Sequence, residues 1–285
     1  MPTLGAVLER RLCVVTGKGG TGMSAVAASL AIAAGRRGMR VLALAMGSGD
    51  GLARHLGATR LGPEPEAFGD VHAAFVEPAS ALDEYLRHRI RIPHLGAVAR
   101  VFAAVVDTVP GVRDTVMIGK VVHESTLPTW DLVVADAPPT GQVQSYLGAP
   151  ATIAGLVPGG AVREQAAWLR SLLEDRNHTG VVVVATPEEL PVTEAVAFRD
   201  GITASVAVTA VIANKVLAEA GFDAAAILSS APGPALDAAR FHLALAEVQH
   251  RHLAALRPDR AVPLLFGMHT PEETAARIAD LWELP

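Results

Sequence analysis

The chain has 285 residues, of which 51% are apolar, with a formal net charge of −5 and a single cysteine, Cys13. This length and apolar content suit one large α/β domain with a sizeable core. The acidic balance disfavours a non-specific nucleic-acid surface, and one cysteine excludes a disulfide framework and a cysteine-based metal site. No stretch has the roughly 18–20 uncharged apolar residues of a membrane span, and the first residues lack a signal-peptide pattern. We therefore expect a cytoplasmic protein with no nucleic-acid partner and no stable membrane insertion.

Short apolar runs alternate with helical patterns along the chain. Strand-like runs lie at 11–16, 39–46, 131–139, 180–189, 205–216 and 261–266, the third and fourth of them ending in a polar turn. Continuous apolar strands joined by helices predict a doubly wound, mostly parallel sheet that is covered on both faces. Ligands of such sheets bind beyond the carboxyl ends of the strands.

Helical patterns lie at 25–38, at about 235–257 and in the tail "PEETAARIADLWEL". The segment of about 70–128 breaks the alternation and looks mostly helical, with a pattern at 111–124 after Pro110. We predict a single domain over 1–285 that carries a helical insertion at about 70–128.

The first motif, residues 17–24, reads "GKGGTGMS" between a predicted strand and a predicted helix. Glycines let successive backbone N–H groups curl around an anion, and the N-terminus of the following helix adds its partial positive charge. The spacing is that of the phosphate loop Gly-x-x-x-x-Gly-Lys-[Ser/Thr], in which Ser24 would ligate Mg²⁺. A glycine-rich turn with no phosphate role is the disfavoured alternative, because the strand-to-helix context and Ser24 both fit the loop.

Met23 stands where this loop normally has lysine. Losing an ammonium contact to phosphate weakens ATP binding by about one to two powers of ten. The loss grows in the transition state, where electrostatic stabilisation matters most. An introduced substitution is an alternative explanation of Met23. Lys18, directly after the first loop glycine, marks the deviant form of the loop.

Three further motifs include the end of a predicted strand. In "DLVVADAPPTGQ" (131–142), Asp136 ends a buried strand, as a carboxylate that holds Mg²⁺ through water does, and a stiff turn follows. The segment "VATPEELPVTEA" (183–195) is a strand, a turn and a helix that opens with acidic residues. In "VIANKV" (211–216), Asn214 and Lys215 end a strand where they can hydrogen-bond a purine edge. Ordinary turn chemistry is the alternative for the last two.

The motifs "GKGGTG-S", "DAPPTG", "TPEELPVTEA" and "NKV", in this order and spacing, resemble those of the arsenite-pump ATPases and the tail-anchored-protein-targeting ATPases. Residues 110–120 and 130–141 look most like the single-copy actinobacterial branch, often labelled anion-transporting ATPase. The resemblance covers nearly the whole chain. It implies a P-loop NTPase fold with a helical subdomain, binding of ATP/ADP and Mg²⁺, and a nucleotide-bridged dimer.

The resemblance also assigns roles to residues. Nucleotide binding falls on Gly17, Gly19, Gly20, Thr21, Gly22, Met23, Ser24, Ala25, Asn214 and Lys215, with Asn214 reading adenine. Metal binding falls on Ser24 and Asp136. Catalytic roles fall on Lys18, which reaches the nucleotide of the other subunit, on Asp136 and on Gln142.

Two departures bear on hydrolysis. The family's first switch has an aspartate that positions the attacking water, and Gly47 aligns there, with Asp50 three residues later as a poor substitute. The second switch commonly has histidine where this chain has Gln142. Deliberate inactivation of an ATPase needs only one substitution. Because Gly47 removes a second group, an introduced substitution is a less favoured explanation of Met23.

Cysteine usage narrows the function further, since Cys13 alone cannot form the metalloid site of the pump ATPases, the zinc site of the targeting ATPases or an iron–sulfur site. A long methionine-rich client groove is also unexpected, because the segment of the insertion holds only Met117. We expect a weakly active or inactive regulatory subunit of a homodimer, or of a heterodimer with a related ATPase. The alternatives are an active ATPase in which Lys18 and Gln142 substitute for the missing groups, and a non-catalytic module that binds a protein client. A partition-type ATPase is disfavoured, since no DNA or membrane surface is visible.

Overall fold

The computed structural model describes residues 4–47, 49–77, 81, 111–202, 206–217, 229 and 232–283. Its strands are β1 (Leu12–Gly17), β2 (Val41–Ala45), β3 (Glu66–Phe68), β4 (Val71–Phe75), β5 (Leu132–Asp136), β6 (Thr179–Ala185), β7 (Val208–Val216) and β8 (Arg260–Pro263). They form one sheet in the order β3-β4-β2-β5-β1-β6-β7-β8. Only the β3–β4 hairpin pairs antiparallel among these strands, so the predicted doubly wound, mostly parallel sheet is confirmed.

Helices cover both faces of the sheet. In the described chain they are α1 (Leu4–Leu8), α2 (Met23–Arg36), α3 (Asp50–His55), α4 (Val112–Thr126), α5 (Thr140–Leu156), α6 (Ala161–Glu174), α7 (Glu189–Ile202), α8 (Pro234–Leu256) and α9 (Pro271–Glu283). Residues of α1, α2, α3 and α9 join one apolar cluster, and residues of α4 to α8 join the other. Along β1, Cys13 and Val15 belong to the first cluster while Leu12 and Val14 belong to the second, as the two-residue period of a strand requires.

The expected helical insertion at about 70–128 differs from the structure at its start. Residues 71–75 form β4 inside the main sheet, where β4 pairs in parallel with β2 and antiparallel with β3. Residues 112–126 form α4, as the pattern at 111–124 predicts. Residues 82–110, in the middle of the predicted insertion, lie outside the described residues. In the described chain, no helix is long and apolar enough to cross a membrane.

The strand order places β1 near the middle of the sheet, with β5 on one side and β6 on the other. From β1 the chain crosses past β5 to reach β2, and from β5 it crosses back past β1 to reach β6. A crevice at the carboxyl ends of the strands opens where such connections diverge. The glycine-rich loop that follows β1 therefore lies at the position where this class of sheet binds its ligands.

Candidate functional site

The glycine-rich loop makes a tight curl between β1 and α2. Gly20 and Gly22 have φ values of +90° and +91°, which favour glycine. The buried Thr21 closes the curl, since its hydroxyl donates to the Lys18 carbonyl at 2.7 Å and its N–H donates to the same oxygen at 3.2 Å. At Gly17, a Cβ would lie 2.1 Å from the Val184 carbonyl oxygen of β6, so only glycine fits there.

The inner groups of this curl suit an anion. Within the described part of the chain, the backbone N–H groups of Gly19, Gly20, Gly22, Met23 and Ser24 donate to no other group of the protein. Gly19 and Gly20 are also exposed. Free N–H groups in a positive-φ curl at a helix N-terminus form an anion-binding concavity, so the residues present fit a phosphate group.

Ser24 and Asp136 form the polar floor of the site. Asp136 ends β5, is 9% exposed, and lies close enough to Ser24 for the serine hydroxyl to stabilise its charged form. Burial raises the pKa of Asp136 to about 6, and the Ser24 hydroxyl opposes that rise. The turn after β5 is fixed to β1 by the Thr16 hydroxyl, which donates to the Pro138 carbonyl at 2.8 Å.

The described residues contain no group of three or more His, Cys, Asp or Glu side chains that could hold a metal by themselves. Mg²⁺ is usually held by one or two protein oxygens together with phosphate and water oxygens. The pair Ser24 and Asp136 fits that donor set, as the sequence predicts for these two residues.

The two residues that depart from the resemblance lie in different surroundings. Met23 begins α2, is half-buried and packs against the apolar cluster on that face of the sheet. Gly47 follows β2, is exposed, and a Cβ built there would have no atom of the described residues within 4 Å. The structure therefore has room at Gly47 for the side chain that the resemblance expects.

Gln142 lies in the first turn of α5 and is exposed. Its backbone N–H donates to the Pro139 carbonyl at 2.7 Å. No hydrogen bond among the described residues joins its side chain to the glycine-rich loop. The structure therefore brings Ser24 and Asp136 together, and in the described chain no hydrogen bond joins the Gln142 side chain to either of them.

Lys18 has a partner that sequence reasoning missed. Its ammonium donates to the carboxylate of Glu194 on α7, and the two side chains are 30% and 37% exposed. Glu194 lies inside the motif "TPEELPVTEA", where the sequence interpretation used only the acidic residues that open the helix. In the single chain, the ammonium that we expect to reach a second subunit is thus held by its own chain.

Asn214 and Lys215 end β7 beside the glycine-rich loop. The Asn214 amide donates to the Thr21 carbonyl at 2.8 Å, and the Lys215 ammonium donates to the Gly20 carbonyl at 3.0 Å. Asn214 is only 3% exposed. In the structure both side chains contact the backbone of the glycine-rich loop. The sequence predicted a contact with a purine for these residues and did not predict the contact with the loop.

Sequence comparison places these features in a family. The sequence pattern of the anion-transporting ATPases matches residues 10–158, which include the loop, Asp136 and Gln142. ATPase BagA of Mycobacterium tuberculosis is 33% identical over 199 residues, covering 65% of this chain and 58% of BagA. Uncharacterized protein SCO2128 of Streptomyces coelicolor is 32% identical over 148 residues, covering 49% of this chain and 37% of its own length.

The match thus spans just over half of BagA and about a third of SCO2128. The family pattern covers β1, the glycine-rich loop and the turn after β5, and it ends beyond α5, before β6, α7 and β7. The chain belongs to the anion-transporting ATPase family.

Proposed function

We propose that this protein is a nucleotide-binding subunit that binds ATP or ADP with Mg²⁺ and hydrolyses ATP weakly or not at all. The observation that carries the proposal is a complete phosphate curl, with free N–H groups and the Ser24–Asp136 pair, beside Met23 and Gly47. The groups that bind phosphate are retained, whereas two groups that promote hydrolysis are replaced.

The free backbone N–H groups of Gly19, Gly20 and Gly22 would hold the phosphates. Ser24 and Asp136 would hold Mg²⁺. The metal ion supplies charge stabilisation on the phosphate oxygens when it is bound. Without a lysine at Met23, the curl lacks one charge-assisted hydrogen bond of about 1.5–3 kcal/mol. The missing contact lowers affinity and lowers the rate further, because the transition state depends on such contacts more strongly.

We further propose that the subunit acts in a dimer, with a second copy of itself or with a related ATPase. Lys18 is half-exposed at the mouth of the loop and is held by Glu194 of its own chain. An exposed ion pair contributes about 0–1 kcal/mol, so exchanging Glu194 for a phosphate of the other subunit costs little. Lys18 would then complete the neighbouring site.

Calorimetric titration with ATP and Mg²⁺, run beside a turnover assay on the same sample, tests the proposal. We expect saturable binding with almost no release of inorganic phosphate. Sedimentation with and without nucleotide reports the dimer, and mixing with an active relative tests for a heterodimer. Brisk hydrolysis by the purified chain alone would contradict the proposal.

The alternatives raised by the sequence gain less from the structure. An active ATPase would need Lys18 and Gln142 at the reacting phosphate, whereas Lys18 is bound to Glu194 and Gln142 lies exposed on α5. The client-binding alternative depends on the predicted insertion, whose central residues 82–110 lie outside the described chain.

A further inference from the structure

The end of β7 is tied to the glycine-rich loop by two adjacent side chains. Asn214 donates to the Thr21 carbonyl at 2.8 Å, and Lys215 donates to the Gly20 carbonyl at 3.0 Å. We propose that Asn214 and Lys215, here called the β7 clamp, are positioning residues that set the shape of the phosphate curl whatever base the ligand carries. This inference rests on the proposed function of the loop as a phosphate site.

The clamp acts through the geometry of the peptide bond. In a trans peptide the C=O and the following N–H point in opposite directions. Because Asn214 holds the Thr21 carbonyl toward β7, the N–H of Gly22 is directed away from β7. This N–H is one of the groups that remain free to meet an anion.

The close approach of Asn214 explains why Gly22 is glycine. A Cβ at Gly22 would lie only 2.3 Å from the Asn214 amide nitrogen, and the residue has a φ of +91°. Both features require glycine. Asn214 is nearly fully buried and Thr21 is buried, so the amide also satisfies a carbonyl that would otherwise lack a donor.

Lys215 is shaped for the same contact. It is one of two non-glycine residues with positive φ in the described chain, at 58°, and its N–H donates to the Asn214 side-chain oxygen at 2.9 Å. This turn of the backbone lets the two neighbouring side chains reach consecutive loop carbonyls. Since the Lys18 ammonium is engaged by Glu194, Lys215 also brings a positive charge directly onto the loop.

Binding of ATP and of tripolyphosphate, which carries the phosphates without a base, distinguishes the two roles. A clamp affects the affinity for both ligands, whereas base-reading residues affect the affinity for ATP alone. Lys215→Met keeps most of the apolar stem and removes the ammonium, whereas Asn214→Ala removes an uncharged donor. We expect each variant to bind both ligands about tenfold more weakly, with the same ratio for each ligand. Arg170→Met, which removes one charge from the exposed face of α6, is the control and should bind both like wild type.

If Asn214→Ala, which changes no charge, loses affinity for ATP and for tripolyphosphate by the same factor, the result supports the clamp and not a simple charge effect. A loss confined to ATP would show that the two residues contact the base, and unchanged binding of both ligands would show that the loop holds its shape alone. Either result overturns the inference. Melting temperatures of the variants confirm that each one is folded.

A second readout needs no ligand. The chain has three lysines, Lys18, Lys120 and Lys215, so a lysine-specific protease cuts it at few sites. We expect cleavage after Lys18 to be several-fold faster in Lys215→Met and Asn214→Ala than in Arg170→Met, because the loop is released. Equal cleavage rates overturn the clamp. If wild type binds neither ATP nor tripolyphosphate, the proposed function fails while this digestion still decides the inference.

Discussion

Two neighbouring regions at the carboxyl edge of the sheet are built differently. The glycine-rich loop is held by hydrogen bonds from β7 and by the turn at Thr21, and it lies beside the buried Asp136. The segment that follows β2 contains Gly47, which is exposed and has no atom of the described residues within 4 Å of the position of a Cβ. Hydrogen bonds fix the first region. The second has glycine at position 47, where the resemblance to the ATPase family leads us to expect an aspartate.

The difference separates binding from hydrolysis. Phosphate binding needs backbone N–H groups in a fixed curl, which many mutually dependent contacts maintain. Positioning of an attacking water needs a single side chain, and its loss leaves the fold intact. We infer that a protein of this family can lose the second function while it keeps the first, as Met23 and Gly47 together suggest.

The largest expected effect comes from placing the same side chain in each region. Gly22→Val should reduce ATP binding by more than about a hundredfold, because the φ of +91° and the contact with Asn214 both exclude a branched side chain. Gly47→Val should leave binding within about twofold of wild type, since its surroundings are open. Calorimetric titration of both variants checks the pair. Similar losses in the two variants would remove the distinction between the regions.

The next effect concerns the buried carboxyl of the loop region. The folded-state pKa of Asp136 is raised to about 6 from a usual value of 3.8, so the folded protein favours the protonated form. The contribution of Asp136 to stability without metal is therefore greatest below about pH 4, is lost as the pH rises through the folded pKa of about 6, and changes little at higher pH. Asp136→Asn removes this loss. Its free energy of unfolding should therefore exceed that of wild type by on the order of 2–3 kcal/mol at pH 7.5.

Denaturant unfolding in the presence of a chelator, at pH 4.5 and pH 7.5, measures that advantage. Asp50→Asn, on the exposed first turn of α3, is the control for removing a carboxylate from the surface. An advantage of Asp136→Asn that is the same at both pH values would contradict the role given to burial.

Restoring the missing groups one at a time sharpens the comparison. Met23→Lys should tighten ATP binding by about ten- to a hundredfold, and Met23→Leu should change it little. The stem of the lysine can keep the apolar packing of Met23 while its ammonium reaches the loop. Hydrolysis should rise substantially only in the double variant with Gly47→Asp. Full turnover from Met23→Lys alone would show that the segment after β2 is not limiting.

The smallest effect concerns the ion pair between Lys18 and Glu194. Glu194→Gln frees the ammonium and should favour the nucleotide-dependent dimer by about two- to fivefold, because the exposed pair is weak. Glu189→Gln, on the exposed first turn of the same helix, is the matched control. Sedimentation velocity with ATP and Mg²⁺ measures the shift. A weaker dimer in Glu194→Gln than in the control would show that Glu194 supports association instead.

The sequence predicted the features that depend on neighbouring residues. Apolar runs located most of the parallel strands, glycine spacing located the loop, and the strand-ending Asp136 was assigned to the site. The β3–β4 hairpin was not predicted, because β3 is only three residues long and β4 lies in the segment that was expected to be mostly helical.

The contacts that shape the site could not be predicted in the same way. Lys18 and Glu194 are 176 residues apart, and Asn214 and Thr21 are 193 residues apart. These pairs meet because the sheet places β6 beside β1 and β7 beside β6, an order that no local pattern encodes. The chemical types at Asn214 and Lys215 were recognised, but the loop carbonyls that they contact follow from the fold alone.

Phosphorus NMR of an equimolar mixture of the protein, ATP and Mg²⁺ tests the separation of binding from hydrolysis most directly. The positions of the three phosphate resonances report binding, and the appearance of ADP and inorganic phosphate reports turnover in the same tube. We predict resonances that are shifted or broadened by the protein, with the ATP still intact after hours. Resonances identical to those of free ATP, or conversion to ADP within minutes, would contradict the account.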